Sequence, residues 1–98
     1  MLRHVVLMQL NDDATTERIA DLVDGLRALP AAIAEIRRYE VGADLGLRDG
    51  NFDLAIVAEF DDDSAFRAYV AHPAHMAVLE ERVLPTVAQR FAVQHRLD

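Results

Sequence analysis

A chain of 98 residues has room for a single hydrophobic core, and with 52% hydrophobic residues it can fill one, although a domain this small gains from burial against a partner. It has no cysteine, which excludes disulfides, thiolate nucleophiles and zinc-thiolate sites, and its ten basic residues are all arginine, which leaves no lysine for Schiff-base chemistry. A net charge of −7 argues against nucleic acid as a partner, because phosphates would repel it.

The opening run "LRHVVLMQL", residues 2–10, is apolar and β-rich. It is too short to cross a membrane, and no small-residue cleavage site follows it, so it reads as a first strand rather than a signal peptide. No membrane partner is expected, and a cytoplasmic setting is the default. Leu2, His4, Val6, Met8 and Leu10 share one face of this strand, and Arg3, Val5, Leu7 and Gln9 the other. Both faces are mostly apolar, so both should be covered. "NDDATTE" then offers turn residues and helix N-caps. Ile19, Leu22, Val23, Leu26 and Leu29 follow at helical spacing, with Pro30 as the expected stop.

"EIRRYEVGAD" predicts a second strand, and "GADLGLRDGN" a loop rich in Gly and Asp. "FDLAIVAEF" predicts a third strand, with Phe52, Leu54, Ile56, Ala58 and Phe60 on one apolar face. "DDDS" starts a helix whose acidic residues suit its positive end and whose apolar side carries Phe66, Tyr69 and Val70. His72 precedes Pro73, and a residue before proline is pushed out of the helical region. The helix should therefore break at His72 and restart at Pro73, carrying Met76, Val78, Leu79 and Val83 before Pro85 ends it. "AQRFAVQHRL" makes the last strand, with Phe91, Val93, His95 and Leu97 on one face.

The order β-α-β-β-α-β predicts an α+β chain of one domain, residues 1–98. It is a four-stranded antiparallel sheet with helices on one face, the ferredoxin-like arrangement. Its other face would be bare but partly apolar, and the simplest cover is a second copy, so a homodimer is expected.

The segments "RHVVLMQL", "LRALPAAI", "YEVGAD", "FDLAIVAEF" and "AYVAHPAHMAV", in that order and spacing, resemble the stress-responsive α/β-barrel (Dabb) family over nearly the whole chain. The resemblance implies a ferredoxin-like protomer whose sheet pairs with its mate's to form a dimeric α/β barrel. In a plant member of the family, olivetolic acid cyclase, a linear polyketide closes into an aromatic ring by an aldol-type condensation. That enzyme's working tyrosine and the second histidine of its HPAH segment match Tyr69 and His75 here, and its strand-one pocket histidine matches His4. On the third strand the chain departs from the cyclase, with Leu54 in place of a further pocket histidine.

The residues themselves allow a catalytic His75 and Tyr69. A neutral imidazole can take a proton from a carbon beside a carbonyl while a tyrosine hydroxyl donates to the developing enolate, with no cofactor. The bland alternative for His75 is a half-buried ring that bonds a backbone carbonyl. For His72 it is a helix joint whose ring caps the next turn, and for His4 a satisfied core histidine. A metal site is not expected. His4, His72 and His75 lack regular ligand geometry across the proline, and Asp61, Asp62 and Asp63 read as caps and solvated charge. Arg37 and Arg38 could orient an anion but read first as solvated.

The expected ligand is a small hydrophobic or aromatic molecule, carbonyl-bearing where it is not aromatic. It would be walled by His4, Val6, Met8, Ile56, Val70 and Val78 around Tyr69 and His75. Two other classes stay open: a cofactor-independent monooxygenase, by analogy of fold, and a non-catalytic, ligand-sequestering stress protein.

Overall fold

A computed structural model describes residues 1–97. Strand β1, Leu2–Leu10, occupies the middle of the sheet, where its unbroken apolar run can be covered on both faces. The chain then caps helix α1, Thr16–Arg27, with the Thr15 hydroxyl accepting from the Arg18 N–H at 3.2 Å. Pro30 does not stop this helix. α1 ends at Arg27, and Pro30 sits in the first turn of a short α2, Leu29–Ala32, where a missing N–H costs nothing.

Strand β2 spans Arg38–Ala43, shorter than the predicted segment, and β3 spans Leu54–Phe60, leaving Phe52 in the loop before it. Helix α3, Asp63–Ala71, is capped by Asp62, whose carboxylate accepts from the Ala65 N–H at 2.9 Å. Helix α4, Pro73–Val78, runs on through a π-helical turn, Leu79–Val83, into α5, Leu84–Thr86. Pro85 thus opens the last helical turn instead of closing it. Strand β4, Val87–Arg96, completes the sheet.

Strand order is β2-β3-β1-β4, antiparallel throughout, the ferredoxin-like sheet expected from the element order. Register decides what each face carries. On the inner face His4 lies opposite Ala58 and Gln94, Val6 opposite Ile56 and Ala92, and Met8 opposite Leu54 and Arg90. Helices cover this face over β3 and β2, burying Leu22, Leu26, Ile33, Tyr69 and Val83 against it. Phe60, fully buried, packs with its ring centroid 5.6 Å from that of Phe66 and 5.0 Å from that of Tyr69. Burying such a side chain contributes about 2–3 kcal/mol.

Coverage stops short of β4, which is exposed along almost its whole length. Its inner-facing Arg90, Ala92 and Gln94 therefore overhang the helical layer and leave one side of the core open. On the outer face Val5 lies opposite Val57 and Val93, and Leu7 opposite Ala55 and Phe91. This apolar stripe has no helix over it: Leu7, Phe91 and Val93 are 42%, 59% and 56% exposed. One end of the stripe is closed by charge. Glu59, buried on the outer face, accepts from Arg3 at 3.1 Å and from Arg38 at 3.3 Å.

Candidate functional site

The site begins with a helix that cannot continue. In an unbroken helix the Ala74 N–H would bond the Val70 carbonyl, four residues back. Pro73 brings no N–H and excludes the helical conformation for His72, which is extended at φ −66° and ψ 136°. Both the Ala74 N–H and the Val70 carbonyl are thereby orphaned, and each is recovered by a histidine ring. His72 Nδ1 accepts from the Ala74 N–H at 3.0 Å, capping α4. His75 Nδ1 lies 3.0 Å from the Val70 carbonyl, and since a carbonyl can only accept, that nitrogen carries the proton. Neutral His75 is thus held as the Nδ1–H tautomer, with the lone pair on Nε2.

His75 is brought against Tyr69, with ring centroids 4.4 Å apart, although the two are separated by the break. The Tyr69 ring lies 6.1 Å from His4 on β1, and its hydroxyl meets the Tyr39 hydroxyl of β2 at 3.0 Å. His4 Nδ1 accepts from the Gln94 amide at 2.9 Å, which puts the His4 proton on Nε2. The two histidines therefore hold opposite tautomers: His75 offers an acceptor at Nε2, His4 a donor.

Burial keeps both rings neutral. It lowers His4 from its ordinary 6.5 to about 4, helped by the proximity of His75. His75 is also lowered, chiefly by burial and slightly by the charge of Arg90, against a raising contribution from its bond to Val70. Burial raises the Tyr69 hydroxyl, while its bond to Tyr39 pulls the other way. Tyr39 is raised strongly, by burial first and then by the neighbouring Tyr69.

His4, Tyr69 and His75 line a cleft of about 330 Å³ between α3–α4, β1 and the overhanging β4. His4, Val6, Met8 and Ile56 form its floor, and Tyr69, Val70, His75 and Val78 its helical wall, so the eight pocket residues expected from the sequence come together here. Sequence reasoning missed Leu26, Leu79 and Val83 in the wall, Arg90 and Ala92 on the β4 side, and the supporting Gln94 and Tyr39. Parity could have found Arg90, Ala92 and Gln94, which alternate with the apolar outer face of β4. Leu79 and Val83 stand four residues apart, at the two ends of the π-helical turn, and both line the cleft.

The remaining candidates lie elsewhere. Arg37 pairs with Asp61 at 2.9 Å, Arg38 with Glu40 and Glu59, and Arg96 with Asp63. Asp62 is the cap of α3. Among the described residues, no group of three histidine or carboxylate side chains is arranged to hold a metal ion, and no helix is long and apolar enough to cross a membrane.

A profile of the stress-responsive A/B barrel domain matches residues 2–95. The chain belongs to that family. An uncharacterised protein of Streptomyces coelicolor is 37% identical over 79 residues, 79% of this chain and 81% of that protein. A dimeric ferredoxin-like protein of unknown function from Thermobifida fusca superposes with a TM-score of 0.90 at 45% identity, covering 98% of this chain and 90% of that one. A hydroxynitrile lyase from Passiflora edulis superposes with a TM-score of 0.88 at 18% identity, covering 99% and 93% of the two chains, a likeness of fold. The fold is thus shared by proteins with and without an assigned reaction.

The His4 environment sets a pH dependence of stability. Folded His4 takes up a proton near pH 4 and the unfolded chain near 6.5, so between these values the unfolded state binds more protons. Stability is therefore highest above pH 6.5 and falls as pH drops through that window, by up to about 3 kcal/mol from this group. Urea titrations at pH 7 and pH 4.5 should show that fall, and the difference between the two pH values should shrink in His4→Gln. An unchanged difference in the variant would assign the acid sensitivity to other groups.

Proposed function

We propose that the cleft binds a small, largely apolar carbonyl-bearing or aromatic molecule, and that His75 and Tyr69 act on it as a base and an acid without a cofactor. The observation that carries this reading is the His75 tautomer. A neutral imidazole with its Nδ1–H spent on the Val70 carbonyl has one remaining function, to accept a proton at Nε2, and the ring lines an apolar cleft. His75 Nε2 would take a proton from the carbon beside the ligand carbonyl. As negative charge moves onto the carbonyl oxygen, the Tyr69 hydroxyl stabilises it by donating, with Tyr39 donating in turn to Tyr69. His4 adds a second donor through its Nε2–H. The lowered His75 value suits a base that must be neutral at pH 7. A hydroxynitrile lyase is built on the same fold, which supports an enzymatic reading by analogy of fold alone.

The test asks for proton abstraction directly. Aromatic and polyketide-like methyl ketones incubated with the protein in D₂O should exchange their α-hydrogens, read by NMR. Exchange should fall by about 10²-fold or more in His75→Ala and in Tyr69→Phe. Ketones that bind equally well to wild type and His75→Ala, with no exchange in either, would favour a ligand-holding protein instead.

The same proposal includes a homodimer joined through the outer faces of two sheets. The exposed Val5–Val57–Val93 and Leu7–Ala55–Phe91 rows are too apolar to face water, and similar solved proteins are dimeric. Beside these rows, Leu45 and Leu47, about four-fifths exposed at 82% and 80%, rim an apolar hollow that a mate could fill. In sedimentation velocity the wild type should run as a dimer and Val93→Glu as a folded monomer. A monomeric wild type at micromolar concentration would contradict the pairing.

A further inference from the structure

We infer that Arg90 is the anion-recognising group of the cleft, so that its ligands are amphipathic acids with an apolar body inside and a carboxylate at the β4 rim. The inference rests on the cleft reading above and specifies its ligand class.

Most arginines here are already committed. Arg3, Arg37, Arg38, Arg82 and Arg96 are in salt bridges, and Arg27 donates to the Val41 carbonyl at 2.9 Å. Among the described residues Arg90 makes no salt bridge and no side-chain hydrogen bond, in a protein whose seventeen carboxylates outnumber its cations. Arg18, Arg48 and Arg67 also make no salt bridge, but they do not line this cleft. Arg90 does, from the inner face of β4 opposite Met8.

Among the described residues no carboxylate lines the cleft beside it. Although the net charge is −7, an anion entering here meets a guanidinium and no local repulsion. A guanidinium fork matches a carboxylate with two parallel hydrogen bonds, and an apolar wall alongside strengthens them by excluding water. Arg90 is also close enough for His75 to feel its charge. A carboxylate seated on Arg90 would cancel that charge and make His75 a better base once the ligand is bound. The acid group would thus both orient the molecule and ready the proton acceptor.

The probes are 4-butylbenzoate and 4-butylbenzamide, alike in shape and different in charge, titrated by calorimetry into the full-length protein. Wild type should bind the benzoate about tenfold to a hundredfold more tightly than the amide. Arg90→Gln should lose that preference while binding the amide as before, and Arg90→Lys should keep part of it. Ala92→Trp, which fills the cleft from an exposed strand position, should weaken both probes. Far-UV circular dichroism checks that each variant is folded. A wild type that binds both probes equally, or a preference that survives in Arg90→Gln, overturns the role of Arg90 and leaves the cleft standing. Failure of both probes to bind, or binding that Ala92→Trp does not touch, overturns the cleft reading together with it.

Discussion

The hydrogen bond that the rest of the site depends on is the one from His75 Nδ1 to the Val70 carbonyl. It exists because Pro73 severs a helical rung and leaves two backbone groups without partners. His72 and His75 satisfy one each, so the pair of histidines mends the break. The joint thereby also fixes the state of the His75 ring. The mending bond on His75 chooses its tautomer, and the tautomer leaves the basic nitrogen free beside Tyr69. Had the helix run on, Val70 would have bonded Ala74 and nothing would hold the His75 ring to one tautomer.

A second constraint is the mismatch between four strands and a helical layer that covers fewer of them. β4 is needed to pair the central strand along nearly its full length, yet no helix lies over it. Its inner face is therefore free to be polar, and its Gln94 reaches back to fix the proton of His4. The overhang opens the core as a cleft instead of a sealed interior, and the sheet contributes His4 to the same space that the broken helix lines with His75 and Tyr69. Burial then keeps both imidazoles uncharged, which a cluster of two histidines needs if it is to persist without a counterion.

Much of this was legible in the residues. The parity of β1 separated His4, Val6 and Met8 from Leu7, and the X-Pro rule located the break at His72 without any tertiary information. Local rules succeeded where local sterics decide the outcome. They failed at Pro30 and Pro85, read as helix stops but seated in the opening turns of new helical segments, because a proline tolerates either role and neighbouring packing selects one. The partners across the fold were also beyond reach. Tyr39 meets Tyr69 and Gln94 meets His4 across 30 and 90 residues of chain, and only strand register brings them together. Arg90 was passed over because the apolar Phe91 and Val93 drew attention to the other face of β4.

The central claim is that the broken helix sets the proton of His75. Long-range ¹H–¹⁵N correlation spectra of the imidazoles at pH 7 read it directly, since protonated and bare ring nitrogens differ widely in shift. The account predicts a neutral His75 with its proton on Nδ1 and a bare Nε2, beside a neutral His4 with its proton on Nε2. A His75 protonated at Nε2, or one fast-averaging between tautomers, would contradict it, because the Val70 carbonyl would then not be holding the ring.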